Sequence, residues 1–432
     1  MNILLLNQCF YPDVVATAQQ LTQLAVGLKE RGHNVTVVSS NTGYDDPAAR
    51  FPKREVWRGI DIFRVSSLNL GKKTRLRRAI NFASFLVNCT TRLAFLPGFD
   101  VIVALTSPPL ISVLGALLAQ LKRGRFVFWV MDLNPDEAIA AGWLKESSFT
   151  GRILSGLLGY SLRHADEIVV LDRFVKQRVL AKGIRVEKVT VLPPWSHDDS
   201  VRYDAKGREA FREEHGLADR FVVMYSGNHS PCHPLDTLLE AARQLSNREV
   251  TQAVSLRDRD TRGDAGETTQ ANSMRYAFYF VGGGSEQQKV KNFAEHYQLR
   301  NVKCLPYQPL SELSKSLSAA DLHTVVMGNE FAGIVHPSKV YNILSIAVPL
   351  LYIGPAESHI MDIAAESNGF PISTARHGDV DAVVNHILNA ASTGAVRFEN
   401  SAGLSRRFAR ASLLPKMIAV VEKNHKNLEF RN

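Results

Sequence analysis

Two short stretches in the second half of the chain place small and hydrogen-bonding residues just ahead of an apolar, helix-like pattern. Residues 226–234 read Ser-Gly-Asn-His-Ser-Pro-Cys-His-Pro, and residues 333–339 read Gly-Ile-Val-His-Pro-Ser-Lys. The start of a helix exposes unpaired backbone N–H groups and the positive end of the helix dipole, which together bind anions such as a diphosphate. The candidate anion-binding residues are Gly227, Asn228, His229, His233, Gly333, Ser338 and Lys339.

Each stretch also has a purely structural interpretation. Residues 226–234 fit a capped surface turn, and the stretch from Pro337 onward fits an ordinary buried helix. Proline suits the first helical position, because the N–H that it lacks would be unpaired there anyway. We therefore expect the second helix to begin at Pro337, and both interpretations stay open at this point.

A second kind of chemistry is indicated by the acidic stretch that follows the predicted strand Arg125–Val130. Asp132, Asp136 and Glu137 would lie at the carboxyl end of that strand, where one of them could orient or deprotonate a hydroxyl group. The alternative is that one of these carboxylates caps the following helix.

Two further patterns receive a structural interpretation. Gly282-Gly283-Gly284 follows a predicted strand and is expected to form a tight turn into a helix. Asp258-Arg259-Asp260 matches the Asp-x-Asp pattern of metal-dependent sugar transferases. It lies in the polar stretch 251–273, which we expect to be a mobile insert, and we therefore predict no metal site.

A basic cluster precedes an amphipathic stretch in the first half of the chain. The stretch covers residues 79–87 and reads Ala-Ile-Asn-Phe-Ala-Ser-Phe-Leu-Val. Basic residues that lead into an apolar helix face are typical of a contact with an anionic membrane surface. The alternative is a solvated, charged helix start. The basic residues are Lys72, Lys73, Arg75, Arg77 and Arg78.

Length and composition limit the class of protein. A chain of 432 residues is longer than one core usually supports, so two domains are expected. The four cysteines lie far apart without metal-ligand spacing, which favours a reducing compartment. The net charge of +9 indicates anionic partners. The start lacks the pattern of a signal peptide, and no apolar run is long enough to span a bilayer.

The elements that would position these residues alternate between short apolar strands and helices. The pattern is typical of α/β proteins with doubly wound, Rossmann-like parallel sheets. It runs to about residue 200, pauses at Pro193-Pro194-Trp195, and then restarts. We predict an N-terminal domain over residues 1–200 and a second domain over residues 201–404. A closing helix and tail over residues 405–432 should pack back toward the N-terminal domain.

Together, these residues resemble the retaining glycosyltransferases of family 4. In the first half the resemblance is carried by Phe10-Tyr11-Pro12, Glu30 to Val37, Thr106-Ser107-Pro108-Pro109 and Asp132 to Asp136. In the second half it is carried by Tyr225 to Asn228, Val281 to Gly284, Leu305 to Pro309, Ala319-Ala320-Asp321 and His336 to Lys339. The nearest subgroup would be the membrane-associated transferases of colanic-acid and O-antigen assembly.

The resemblance implies a GT-B fold, in which two Rossmann-like domains face each other across a cleft. It also implies transfer with retention, without a metal or other cofactor, from a nucleoside diphosphate sugar to a lipid-linked glycan. We expect a UDP-sugar, a cytoplasmic protein peripheral at the inner face of the plasma membrane, and no nucleic-acid partner. Two alternatives are a non-catalytic scaffold of a glycan assembly complex and a nucleotide-sugar epimerase.

The chain departs from the family pattern at several positions. Typical members carry an Arg and a Lys where this chain has Asn228 and His233, and a second Glu where it has Asn342. Near the start, the usual Gly-Gly is replaced by Val15-Ala16 or by Ala16-Thr17. Since a departing diphosphate needs positive charge, Lys339 is the expected substitute.

The resemblance implies a role for each candidate residue. Lys339 and Ser338 would counter the diphosphate charge, and Asn342 would bind the ribose. Tyr307 and Gln308 would lie near the base, Glu330 would contact the transferred sugar, and Asp132 the acceptor. Thr17 and Asp136 complete the predicted acceptor side.

Overall fold

The computed structural model describes most of the chain as two compact units. The first unit comprises residues 1–195, 333–336 and 410–432, and the second comprises residues 196–332 and 337–409. The predicted basic residues Lys72 and Lys73 lie outside the described residues, as does the stretch 261–274. The described ranges are 1–44, 48–68, 70, 75–196, 200–260, 275–367, 369–394, 397–398 and 402–423.

The first unit is built on an eight-stranded sheet with the order β3-β4-β2-β1-β5-β6-β7-β8. Neighbouring strands are parallel except for the antiparallel pair β3–β4. The central strands are apolar and buried along their length, as expected for a parallel sheet covered on both faces. The strands are β1 (Asn2–Leu6), β2 (Asn34–Ser40), β3 (Arg54–Trp57), β4 (Ile60–Val65), β5 (Val101–Ala104), β6 (Arg125–Val130), β7 (Glu167–Val170) and β8 (Val189–Val191).

Six helices connect these strands. Helix α6 is capped by Asp172, whose side chain accepts hydrogen bonds from the backbone N–H groups of Phe174 and Val175. The helices are α1 (Ala16–Glu30), α2 (Arg75–Ala94), α3 (Ile111–Lys122), α4 (Asp136–Ala140), α5 (Phe149–His164) and α6 (Arg173–Ala181), and a 3-10 turn covers Val186–Lys188.

The second unit contains a six-stranded, fully parallel sheet with the order β11-β10-β9-β12-β13-β14. The strands are β9 (Phe221–Asn228), β10 (Tyr276–Gly283), β11 (Val302–Leu305), β12 (Leu322–Val326), β13 (Leu350–Ile353) and β14 (Ile372–Ala375). The helices are α7 (Ala205–Glu214), α8 (Asp236–Asp260), α9 (Gln287–His296), α10 (Leu310–Ser318), α11 (Lys339–Ile346), α12 (His359–Ala365), α13 (Val380–Thr393) and α14 (Ala402–Arg407), with a 3-10 turn over Asn329–Phe331.

The chain ends in the first unit with helix α15 (Arg410–Glu422). This helix packs on α1, where the side chains of Ile418 and Leu414 lie against Gly27. The Arg125 guanidinium donates to the carbonyl groups of Val420 and Val421 at 3.0 Å. The predicted closing helix is thus two helices, α14 in the second unit and α15 in the first.

Two predicted boundaries differ from the structure. Helix α8 continues to Asp260, so the predicted mobile insert was wrong for residues 251–260, because its first part has enough helix-forming residues to extend the helix. Helix α11 begins at Lys339 rather than at Pro337, because residues 333–336 belong to the first unit and helical conformation starts only at Ser338.

No helix within the described ranges has the length and apolar character needed to cross a membrane.

Candidate active site

The core of the candidate donor site is formed where β9 and β10 end side by side. The apolar pattern predicts strands that end at Tyr225 and Val281, but both strands run further, so that Gly282 pairs with Gly227 and Gly283 pairs with Asn228. Beyond the strands, the His229 N–H donates to the carbonyl of Gly283 at 2.8 Å. The Glu286 N–H donates to the carbonyl of His229 at 3.0 Å. The two loops are therefore joined by backbone hydrogen bonds at the carboxyl edge of the sheet.

The glycines at this edge are required by close backbone approach, a role that the sequence pattern did not predict. A Cβ atom on Gly282 would lie 2.1 Å from the carbonyl oxygen of Gly227, and one on Gly284 would lie 2.2 Å from that of His229. Both glycines have φ values in the left-handed region, 132° and 137°. Gly282 and Gly284, which were predicted to form a tight turn, thus pack against the backbone of the candidate diphosphate loop at Gly227 and His229.

Lys339, the first residue of α11, places its amine against this loop. Its Nζ atom is buried and has no hydrogen-bond partner among the described residues. The atom lies 3.7 Å from the centroid of the Tyr225 ring, and a Cβ atom on Gly227 would be 2.9 Å from it. Burial lowers the pKa of Lys339 from 10.5 to about 7.

His229 and His233 lie beside Lys339 and are uncharged at neutral pH. Burial, with the nearby Lys339 as a further cause, lowers the pKa of His229 to about 4 and that of His233 to about 3. The Nδ1–H of His233 donates to the carbonyl of Val326 at 2.7 Å. The ring of His229 is buried, and neither of its nitrogens has a hydrogen-bond partner within the described part of the chain. Lys339 is therefore the group in this cluster that can carry positive charge.

The remaining predicted donor residues occupy varied positions in the second unit. Tyr307 is half-exposed, and its Oη donates to the carbonyl of Gly283 at 3.2 Å. This bond lies next to the sheet edge formed by Gly227, Gly282 and Gly284, called the glycine edge below. The Gln308 side chain turns back and donates to the carbonyl of Pro306 at 3.1 Å. Ser338 forms the N-cap of α11 without a side-chain capping bond, Asn342 lies half-buried one turn into that helix, and Asn228 is exposed.

Glu330 is an exposed residue of the 3-10 turn after β12. It lines a cavity of about 460 Å³ in the second unit, together with Asp236, Glu240 and His377. A carboxylate that lines an open cavity can accept hydrogen bonds from the hydroxyl groups of a sugar.

Gly333 was predicted to help bind the diphosphate, but it is not part of the second unit. It belongs to the first unit, where a Cβ atom would lie 2.9 Å from backbone atoms of Phe174. The segment that it starts is held by two hydrogen bonds, from Leu133 N–H to the Ile334 carbonyl at 3.2 Å and from His336 Nδ1 to Asp172 Oδ2 at 2.7 Å. The structure therefore does not group Gly333 with the other candidate donor residues.

The acidic stretch after β6 contains two carboxylates in different surroundings, because Asp132 is buried and Asp136 is paired with a lysine. Burial raises the pKa of Asp132 from 3.8 to about 7, and the nearby Glu137 adds to the effect. Asp136 forms an ion pair with Lys182, with 2.8 Å between Oδ1 and Nζ. Thr17 is half-buried in the first turn of α1. Of these predicted acceptor residues, Asp132 is the one whose surroundings favour proton exchange near neutral pH.

Helix α2 exposes an apolar stripe. Leu76, Ile80, Ala83 and Val87 are all exposed, and their spacing of three and four residues places them on one face. Leu76 is 70% exposed and Val87 is 63% exposed. Of the predicted basic residues, Arg77 is exposed, and Arg75 and Arg78 lie in the helix with side chains outside the described set.

Comparisons with known proteins agree with this geometry. Residues 16–195 match the family described as glycosyl transferase 4-like domain. The chain is 24% identical over 371 residues to WcaI of Escherichia coli K12, assigned to colanic acid biosynthesis as a glycosyl transferase, covering 80% of this chain and 81% of that one. It is 23% identical over 266 residues to the glycosyltransferase WbjE of Pseudomonas aeruginosa, covering 61% of this chain and 60% of that one.

A solved structure extends the likeness over both units. The crystal structure of Anabaena Alr3699/HepE in complex with UDP and glucose superposes with a TM-score of 0.68 at 16% identity. The match covers 98% of this chain and 100% of that one, and it confirms the predicted GT-B fold. The family match and the curated relatives together identify the chain as a glycosyltransferase that resembles the family 4 enzymes of colanic-acid and O-antigen assembly.

Proposed function

We propose that the protein transfers a sugar, with retention of configuration, from a nucleoside diphosphate sugar to a lipid-linked glycan in cell-surface polysaccharide biosynthesis. The observation that carries the donor half of this proposal is the buried Lys339 amine, which lies against the glycine edge without a counter-ion among the described residues. A buried cation without a partner is costly unless a ligand supplies the negative charge. A diphosphate supplies that charge.

The departing diphosphate would be stabilised by Lys339 and by the amino end of α11. Negative charge develops on this leaving group during transfer, and fixed positive charge in a shielded site is effective against it. The neutral His229 and His233 can contribute hydrogen bonds but no charge. We therefore assign the role that a metal ion has in other transferases to Lys339, and we expect no metal requirement.

We propose UDP as the nucleotide. The HepE crystal structure is a complex with UDP and glucose, and its fold is shared over nearly the whole chain. The half-exposed Tyr307 ring, which is held at the Gly283 carbonyl, offers an aromatic surface beside the glycine edge where a base could rest.

For the acceptor, we propose that Asp132 takes or orients the proton of the attacking hydroxyl group. A carboxylate is most useful as a base when its pKa lies near the working pH, and burial shifts the pKa of Asp132 in that direction. Asp136 would instead hold the loop through its ion pair with Lys182.

We also propose that α2 contacts the membrane that carries a lipid-linked acceptor. Its exposed stripe, from Leu76 to Val87, supplies apolar area, and Arg77 supplies positive charge at the same end of the helix as the predicted basic cluster. Apolar burial combined with attraction to anionic lipids is how interfacial helices bind. This placement would put the protein at the inner face of the plasma membrane.

A nucleotide panel tests the donor assignment. We expect UDP and UDP-sugars to raise the melting temperature of the full chain more than GDP or dTDP at equal concentration, because a ligand that binds only the native state stabilises it. Melting is followed by differential scanning fluorimetry. If no nucleoside diphosphate shifts the transition, the non-catalytic scaffold becomes the better interpretation.

A further inference from the structure

Tyr225 contacts Lys339, the central residue of the candidate donor site, from within the core of the second unit. It lies in β9 and is 1% exposed. One face of its ring lies 3.7 Å from Lys339 Nζ, and its Oη donates to the carbonyl of Asn228 at 2.6 Å. The same side chain thus contacts the amine and fixes the loop that would hold the diphosphate.

The surroundings of the Lys339 amine contain no carboxylate within the described residues. The titratable groups that face it are Tyr225 from β9, and His229 and His233 from the loop after β9. None of the three carries a negative charge at neutral pH, since burial raises the pKa of the Tyr225 hydroxyl well above 10 and the histidines are neutral. The amine is therefore shielded from water and lacks a counter-ion.

We propose that Tyr225 is a positioning residue that holds the Lys339 amine shielded and without a counter-ion before the donor binds, so that a nucleoside diphosphate binds together with one proton. This inference rests on the proposed donor function of the same site. The proton comes from solvent or buffer, and it converts the neutral amine into the ammonium that pairs with the diphosphate.

The direction of the effect follows from the lowered pKa. In the free protein the amine has a pKa of about 7 and is mostly neutral at pH 8. An adjacent diphosphate favours the charged form, which raises the pKa in the complex and draws in a proton. Burial is the cause of the lowered pKa, and the Tyr225 ring, with its centroid 3.7 Å from Nζ, covers one side of the amine.

Calorimetric titration of the full-length protein with UDP measures this proton directly. At pH 8, binding heats in two buffers of different ionisation enthalpy give the number of protons taken up. We expect close to one proton per UDP for the wild type at pH 8 and a clearly lower uptake at pH 6, where the amine is already charged and the terminal phosphate of UDP carries part of a proton of its own. Lys339→Arg should bind UDP without proton uptake, since its guanidinium stays charged throughout.

Two substitutions of Tyr225 separate positioning from simple support of the fold. Tyr225→Phe keeps the ring and should retain the proton uptake of the wild type. Tyr225→Leu opens space beside the amine, so water solvates it in the free protein and the uptake at pH 8 should fall. A purely structural role would change affinity without changing the proton number.

The outcomes distinguish the inference from the function on which it rests. UDP binding by the wild type without proton uptake at pH 8 would overturn the inference and leave the donor assignment intact. The same uptake in Lys339→Arg as in the wild type would also overturn it, because the proton would then reside elsewhere. Absence of UDP binding from pH 6 to pH 9 would overturn both. If Tyr225→Leu fails to fold, the Lys339→Arg comparison still decides whether Lys339 takes up the proton.

Discussion

Burial lowers the pKa of the three basic side chains at the candidate site, His229, His233 and Lys339. His233 stands where the family pattern has a positive side chain, yet both it and His229 are buried enough to stay neutral. Lys339 keeps a pKa near 7, because an amine has a higher ordinary pKa than an imidazole and burial alone lowers it here. The sequence could indicate Lys339 from its place near a helix start, but it could not indicate that the histidines lose their charge.

Asp132 and Asp136 should respond oppositely to removal of their charge. Asp132 has a raised folded pKa, so the folded state binds more protons than the unfolded state between the two pKa values, and its stabilising effect is lost as pH rises through the folded pKa. We expect Asp132→Asn to raise the melting temperature of its unit by about 2–4 °C at pH 8 and by less at pH 5. Differential scanning calorimetry measures both values.

The matched control is Asp136→Asn. It breaks the ion pair with Lys182 and should lower the melting temperature at pH 8, by an amount equivalent to about 0.5–1 kcal/mol.

We further expect Asp132→Asn to stop transfer while leaving UDP binding unchanged. A lower melting temperature for Asp132→Asn at pH 8 would show that the ionised carboxylate stabilises the fold. That result would contradict a pKa raised by burial.

Tyr225, Gly282 and Gly284 show why part of the site was not predicted. An aromatic residue in an apolar strand fits a core position, and nothing in its neighbours marks the amine above its ring. Gly282 and Gly284 fit a turn, and their actual role depends on backbone atoms of residues 227 and 229, which lie in a distant segment of the chain. Contacts between distant segments of this kind are set by the sheet order.

At the scale of single elements, α2 has an apolar stripe on the surface instead of in the core. Its buried face includes Phe85 and Cys89, whereas Leu76 and Val87 stay exposed on another face. A helix with apolar residues on both faces has one face left for another contact. The basic residues around its start favour an anionic surface as that contact.

We expect Leu76→Glu and Val87→Glu each to weaken binding to phosphatidylglycerol-containing vesicles by about tenfold, because each removes one large apolar side chain from the interface and adds a negative charge. Vesicle sedimentation measures the bound fraction. Val56→Glu is the control, since Val56 is 66% exposed but lies on β3. An equal loss in Val56→Glu, or wild-type protein that does not sediment, would contradict the assignment.

At the scale of the whole molecule, the repeated alternation of apolar strands and helices predicted two parallel α/β units. The pattern located the apolar runs of the central strands, although β9 and β10 continue beyond theirs. The edge strands β3 and β14 were missed, because each is short, with four residues, and both contain exposed or half-exposed positions. The assignment of residues 333–336 to the first unit was also missed. It depends on contacts with Leu133 and Asp172, which lie far away in the sequence.

The most direct test of the donor site measures release of UDP from the UDP-sugar that stabilises the full chain best, for the wild type and for Lys339→Ala. We predict that the substitution lowers turnover by at least about 100-fold, because it removes the positive charge opposite the leaving diphosphate. Its circular dichroism and melting temperature should be unchanged or improved, because an unpaired buried amine is lost. Near-normal turnover by Lys339→Ala would contradict the central claim that this residue carries the donor site.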